Sequence, residues 1–106
     1  MSPTHFRELA LSLPEATEAS HMAHPDFRVR DKIFATLAAD ETWAMAKLTP
    51  EQQTLFVKTA PLVFEPFPGG WGARGATKIL LATATEPEVL QALTAAWRNV
   101  APKKLL

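Results

Sequence analysis

The sequence predicts an α+β domain with helices packed on an antiparallel sheet, and three observations carry that prediction. Three segments with apolar residues at helical spacing open on a Ser-Pro start or on a Thr capping box that contains proline. Between the first two of them the apolar pattern shortens toward period two, and two further strand-like runs precede the last. The resulting order is one helix, a meander, a helix, two strands and a closing helix. With 106 residues, 47% of them hydrophobic and 21% charged, the chain has the makings of one domain over residues 1–106, large enough to bury a core without disulfides or a structural metal.

Each element has a local reason. Ser2-Pro3 supplies an N-cap and a proline at the first helical position, and Phe6, Leu9, Ala10 and Leu13 follow at helical spacing up to Pro14. Residues 16–20 are a further short strand candidate. Phe27 and Val29 alternate with Arg28 and Arg30, Asp31 breaks the run, and residues 33–37 resume it, which reads as a hairpin. After a turn at residues 39–42, residues 43–47 form a further strand. Thr49-Pro50-Glu51-Gln52 is a capping box that opens the second helix, and Pro61 ends it. Residues 62–65 and 77–83 are strand candidates on either side of a glycine-rich loop. Thr85-Glu86-Pro87-Glu88 repeats the capping box before Val89, Leu93, Trp97 and Val100, the apolar face of the last helix, which Pro102 closes.

The glycine-rich loop is the most distinctive stretch. All four glycines of the chain fall between Gly69 and Gly75, around Trp71 and Arg74. Glycine loses more backbone freedom on folding than any other residue, so such a cluster implies positive φ angles or backbone packed close against something. The run lacks the Gly-Lys-Ser/Thr of a phosphate loop, and a strand rather than a helix follows it, so neither familiar nucleotide fingerprint applies.

Composition narrows the function. The formal net charge is zero, unlike that of a strong nonspecific polyanion binder. Residues 1–65 nevertheless hold six basic and nine acidic side chains, and residues 66–106 five basic and two acidic. The absence of cysteine excludes thiolate chemistry and agrees with a reducing compartment. Met1 to His5 lack the basic start and apolar run of a signal peptide, and no window approaches the ~20 apolar residues of a membrane helix, so a cytoplasmic location is expected.

Six short pieces, in order, carry a resemblance that spans nearly the whole chain. They are Leu13-Pro14-Glu15, His24-Pro25-Asp26-Phe27-Arg28-Val29, Lys32-Ile33-Phe34-Ala35, Leu48-Thr49-Pro50-Glu51, Gly70-Trp71-Gly72-Ala73-Arg74-Gly75, and the segment from Trp97 to Lys104. Together they resemble the YjbR/MmcQ family of small bacterial proteins. The resemblance implies a frataxin-like fold with the helices on one face of the sheet, and DNA as the partner. It supplies no catalytic residues. The first helix also lacks the dense acidic ridge that binds hard cations in that fold, so iron binding does not carry over.

Physical reasoning then selects candidate residues. Arg28 and Arg30, two apart on a strand, face the same way and can touch phosphates. Trp71 offers a stacking platform and Arg74 a guanidinium fork, and Arg28, Arg74 and Lys78 are expected to form an anion-binding face. The structural alternative makes the arginines a solvated strand face and Trp71 a cap on the core. His21 and His24 beside Asp26 suggest a polar or metal site, although His24-Pro25-Asp26 more simply forms a turn hydrogen bond. Trp43, Met45 and Trp97 read as core, and Lys103 and Lys104 as partners of the last helix dipole. No serine has a nucleophile setting, so neither an enzyme nor a cofactor is expected. The chain reads as a DNA-binding module of modest affinity. The alternatives are a protein-interaction module, homodimeric for instance, and a small-anion binder using the Gly69–Gly75 loop.

Overall fold

The computed structural model describes residues 1–21 and 23–106, with the backbone alone at His21. Helix α1 (Pro3–Leu11) starts as its sequence predicts, with the Ser2 hydroxyl accepting from the His5 amide at 3.0 Å. Strands β1 (Thr17–His21), β2 (His24–Val29), β3 (Lys32–Leu37) and β4 (Trp43–Lys47) form the meander. Helix α2 (Pro50–Thr59) is followed by β5 (Phe64–Pro66), a five-residue helix α3 (Gly69–Ala73), β6 (Ala76–Leu80) and α4 (Glu86–Val100). A 3-10 turn over Lys103–Leu105 ends the chain. All neighbouring strands are antiparallel, in the order β1-β2-β3-β4-β6-β5, so β6 inserts between the meander and β5.

Several local expectations change, and the strand expected over residues 62–65 runs instead over Phe64–Pro66. The glycine-rich loop contains a helical turn, α3. Strand β6 stops at Leu80 rather than Thr83, because the Ala84 amide turns back to the Leu80 carbonyl at 3.1 Å. Arg30 is not on a strand: Arg30 and Asp31, at φ 50° and 66°, are the two central residues of the β2–β3 turn. Positive φ at both positions gives a turn whose twist matches that of the flanking strands. Arg30 therefore does not share a face with Arg28. It donates instead to both carboxylate oxygens of Glu15 at 2.6 and 3.1 Å, and this pairing raises its pKa and lowers that of Glu15.

The two faces of the sheet differ in residue size. Phe27, Val29, Leu37 and Ile79 point inward and are fully buried, with Ala35, Ala44 and Ala46 between them. A register shift in the β2–β3 ladder at Phe27/Arg28 leaves Phe34 as an extra residue, so Phe34 and Ala35 are both buried. Helix α4 crosses β3 and β4 and brings Val89, Ala92, Leu93, Ala96 and Trp97 to this inner face, with α1 against its side. Small residues on both partners let helix and sheet approach closely. Trp43 and Met45 are consequently not core, as their spacing suggested, because the alanines between them take the inner face and leave both half-buried on the other.

Trp97 is core as expected, and its indole N–H donates to the Pro14 carbonyl at 3.0 Å, tying α4 to the connection between α1 and β1. Two residues further along α4, Asn99 donates to the Lys47 carbonyl at 3.1 Å and to the Gln52 side chain at 2.8 Å, which joins the same end of α4 to β4 and α2. The capping box of α2 is complete, with Thr49 and Gln52 each accepting from the other's amide. In α4 the Glu88 carboxylate accepts from the Thr85 amide and hydroxyl.

Candidate functional site

The face of the sheet turned away from α1 and α4 is open. One row across it follows the register Ala19, Asp26, Thr36, Met45, Lys78, Glu65, one residue from each strand. Over the middle of this row lies a trough of about 330 Å³. It is lined by Ile33, Thr36, Met45 and Ala76, by the aromatic rings of Trp43, Phe67 and Trp71, and by Lys47. The trough is thus largely aromatic and aliphatic, and it sits over the central strands β3, β4 and β6.

Helix α3 places Trp71. Gly72 is buried, and a Cβ there would run into the Phe67 carbonyl, so only glycine lets this turn rest on the chain before it. Gly75, at φ +114°, lies in the same way against the Leu48 carbonyl. Gln53 on α2 donates to the carbonyls of Gly72 and Ala76 at 3.0 and 2.9 Å, closing the loop from outside. Held by these contacts, the indole of Trp71 projects from the protein and is 63% exposed. Trp71 therefore does not cap the core.

Cations surround the aromatic groups. The Arg74 guanidinium carbon is 5.8 Å from the Trp71 ring centroid, and the Lys78 ammonium is 4.8 Å from that of Trp43 and 6.0 Å from that of Phe67. Trp43 and Phe67 pack at 5.6 Å with a tilt of 55°. Lys78 also lies 3.9 Å from the Glu65 carboxylate, a loose pair at the edge of the face. In the β3–β4 turn Asp40 accepts from the Thr42 amide and hydroxyl, which lowers its pKa, and the charge of Lys78 acts in the same direction.

Arg28 shares the open face but is already engaged. Its guanidinium donates to both oxygens of Asp26 at 2.7 and 3.1 Å, and this partner raises its pKa. Asp26 is 2% exposed. It sits inside β2 as the acid of this pair, not in a turn hydrogen bond with His24, which is exposed at the start of the strand. The His21 side chain of the suggested histidine pair lies outside the described residues. Among the described residues no group of three or more His, Asp or Glu side chains is placed to hold a metal ion.

Of the residues singled out from the sequence, Arg74 meets Trp71, Lys78 lies over Trp43 and Phe67, which line the trough with Trp71, Arg28 lies on the same face in a closed pair, and Arg30 is elsewhere. Sequence reasoning missed Trp43, Met45, Phe67 and Lys47. For three of these the signal was present in Trp43-Ala44-Met45-Ala46-Lys47, an alternation of large and small residues in which the large ones are the outward set.

No helix among the described residues is long and apolar enough to cross a membrane. No curated protein matches the sequence. Among solved structures, the crystal structure of the Deinococcus radiodurans protein DR2400, with the family domain DUF419, superposes with a TM-score of 0.77 at 16% identity. The match covers 97% of this chain and 80% of that one. At that identity the likeness establishes a shared fold. The YjbR family model matches residues 11–99, from the last residue of α1 through nearly all of α4, and the chain therefore belongs to the YjbR family.

Proposed function

We propose that this protein is a DNA-binding module of modest affinity that uses the open face of its sheet, and that it is not an enzyme. The observation that carries the reading is Trp71, a tryptophan held out into solvent by a tightly seated turn, with Arg74 over its ring and an aromatic trough beside it. Aromatic side chains with adjacent cations suit nucleic acid, whose bases stack and whose phosphates pair. Lys47 lines the trough, Arg74 stands over the Trp71 ring and Lys78 over those of Trp43 and Phe67, three cations beside the aromatic groups. Zero formal net charge keeps the long-range attraction small and the affinity modest.

An amide-resolved NMR titration with short DNA, at low and moderate salt, tests the reading. Shifts gathering on Lys47, Trp71, Arg74 and Lys78 are expected, with a log–log salt slope of about −2 for three displaced counterions on a single strand. No shifts at high micromolar DNA would refute it. A second reading has its own observation: the trough has the size of a small-molecule pocket, at the lower end of the ~300–1,000 Å³ range. A flat aromatic anion that raises the melting temperature where oligonucleotides do not would favour that reading.

A further inference from the structure

We infer that the trough receives unpaired bases, so that the DNA bound by this face is single-stranded. The inference rests on the DNA-binding reading above and narrows it. Sheet geometry supplies the first argument. Strands lie ~4.8 Å apart, so the six of this sheet span about 24 Å between β1 and β5. The major groove of B-DNA is about 12 Å wide and admits a helix or a two-stranded ribbon. A face of this breadth stays outside the groove, and its trough, over β3, β4 and β6, is the part a groove reaches least.

Chemistry supplies the second argument. A duplex laid on the face would set its phosphates against Ile33, Met45 and Phe67, removing water from charged groups without replacing it. A single strand can turn its bases inward instead. One base stacks on the exposed indole of Trp71, a neighbour enters the trough beside Trp43 and Phe67, and the phosphates pass Lys47 and Arg74. Every base has a π face, so this mode holds strands of any sequence. It also fits a protein of zero formal net charge, because stacking rather than phosphate pairing supplies most of the affinity.

The test compares three labelled ligands of equal length on the full chain, by anisotropy and intrinsic fluorescence: an oligothymidylate, a hairpin duplex and an abasic oligonucleotide. Trp97 is buried, so quenching reports Trp43 and Trp71. The oligothymidylate is expected to quench fluorescence and to bind at least about tenfold more tightly than either other ligand, the abasic strand having lost its stacking. Trp71→Ala is expected to weaken oligothymidylate binding about 5- to 100-fold while leaving circular dichroism unchanged, and Trp71→Phe to retain most of it. Equal affinity for the duplex or the abasic strand, or full affinity in Trp71→Ala, overturns the inference and leaves the DNA-binding reading standing. Binding of none of the three overturns both, and a concentration-dependent dimer burying Trp71 would then assign the face to a second copy.

Discussion

Gly72 and Gly70, two residues apart on α3, should respond in opposite ways to the same methyl group. At Gly72 a Cβ meets the backbone carbonyl of Phe67, whereas at Gly70 it meets nothing within 4 Å. Adding a methylene to a packed site costs ~1–3 kcal/mol when side chains can yield. Here the obstacle is main chain. The Phe67 amide is bonded to the Ala76 carbonyl at 2.9 Å, and Gln53 clamps Gly72 itself, so the turn must lift as a whole. The cost belongs at the top of the range, about 3 kcal/mol, which in a domain of this size lowers the melting temperature by about 12 °C. Gly70→Ala exchanges glycine for the best helix former at an exposed position and should be neutral or stabilising by up to ~1 kcal/mol. Thermal and urea denaturation of the two variants beside the parent protein checks both. Because Trp71 lies between the two glycines, Gly72→Ala should also weaken DNA binding while Gly70→Ala preserves it. If Gly72→Ala melts within about 2 °C of the parent, α3 is not seated on the Phe67 carbonyl, and the account of how Trp71 is presented fails.

Removing the acid of the Asp26–Arg28 pair with Asp26→Ala should cost about 1–3 kcal/mol in urea denaturation, less than a fully buried pair because the Arg28 side chain, 30% exposed, can reach water. Trp97→Phe loses the bond to Pro14 along with part of a buried ring, and should destabilise by about 2 kcal/mol; an unchanged midpoint would show that α4 is not held to the α1–β1 connection there. Trp71→Ala should stay within ~0.5 kcal/mol of the parent, since little of its ring is buried. Glu15, paired with Arg30, and Asp40, bonded to Thr42, have folded pKa values below their unfolded ones. Their stabilisation is therefore complete above the unfolded carboxylate values of about 4 and is lost as pH falls through the lower folded values. The melting temperature should drop less on acidification in Asp40→Ala than in the parent protein.

Local signals in the chain located most of the elements. Both capping boxes, the Ser2-Pro3 start and the alternation around Phe27 and Val29 depend on neighbours in sequence, and all of them appear in the structure. What sequence did not reveal depended on the partner across the core. The period of Trp43-Ala44-Met45-Ala46-Lys47 was legible, but not which of its faces is inward, since hydrophobicity ranks tryptophan and methionine above alanine. The approach of α4 reverses that ranking, because closeness to a helix rewards small size. Arg30 was misplaced for a related reason: alternation continues through it, and only the hairpin geometry puts it in the turn. The glycine run signalled close approach, and the structure supplies the carbonyls of Phe67 and Leu48 that are approached.

The alanine-lined inner face of β4 makes the protein's two surfaces nearly independent under mutation. Side chains that stabilise the fold and side chains that line the trough alternate along one strand yet project in opposite directions. Replacing Trp43, Met45 or Lys47 changes the shape and charge of the trough without opening a void beneath α4, whereas enlarging Ala44 or Ala46 pushes the helix away and leaves the trough residues in place. Such a division allows ligand preference to drift by single substitutions while the scaffold stays fixed, so small proteins of this architecture can share a backbone and still differ in what they hold.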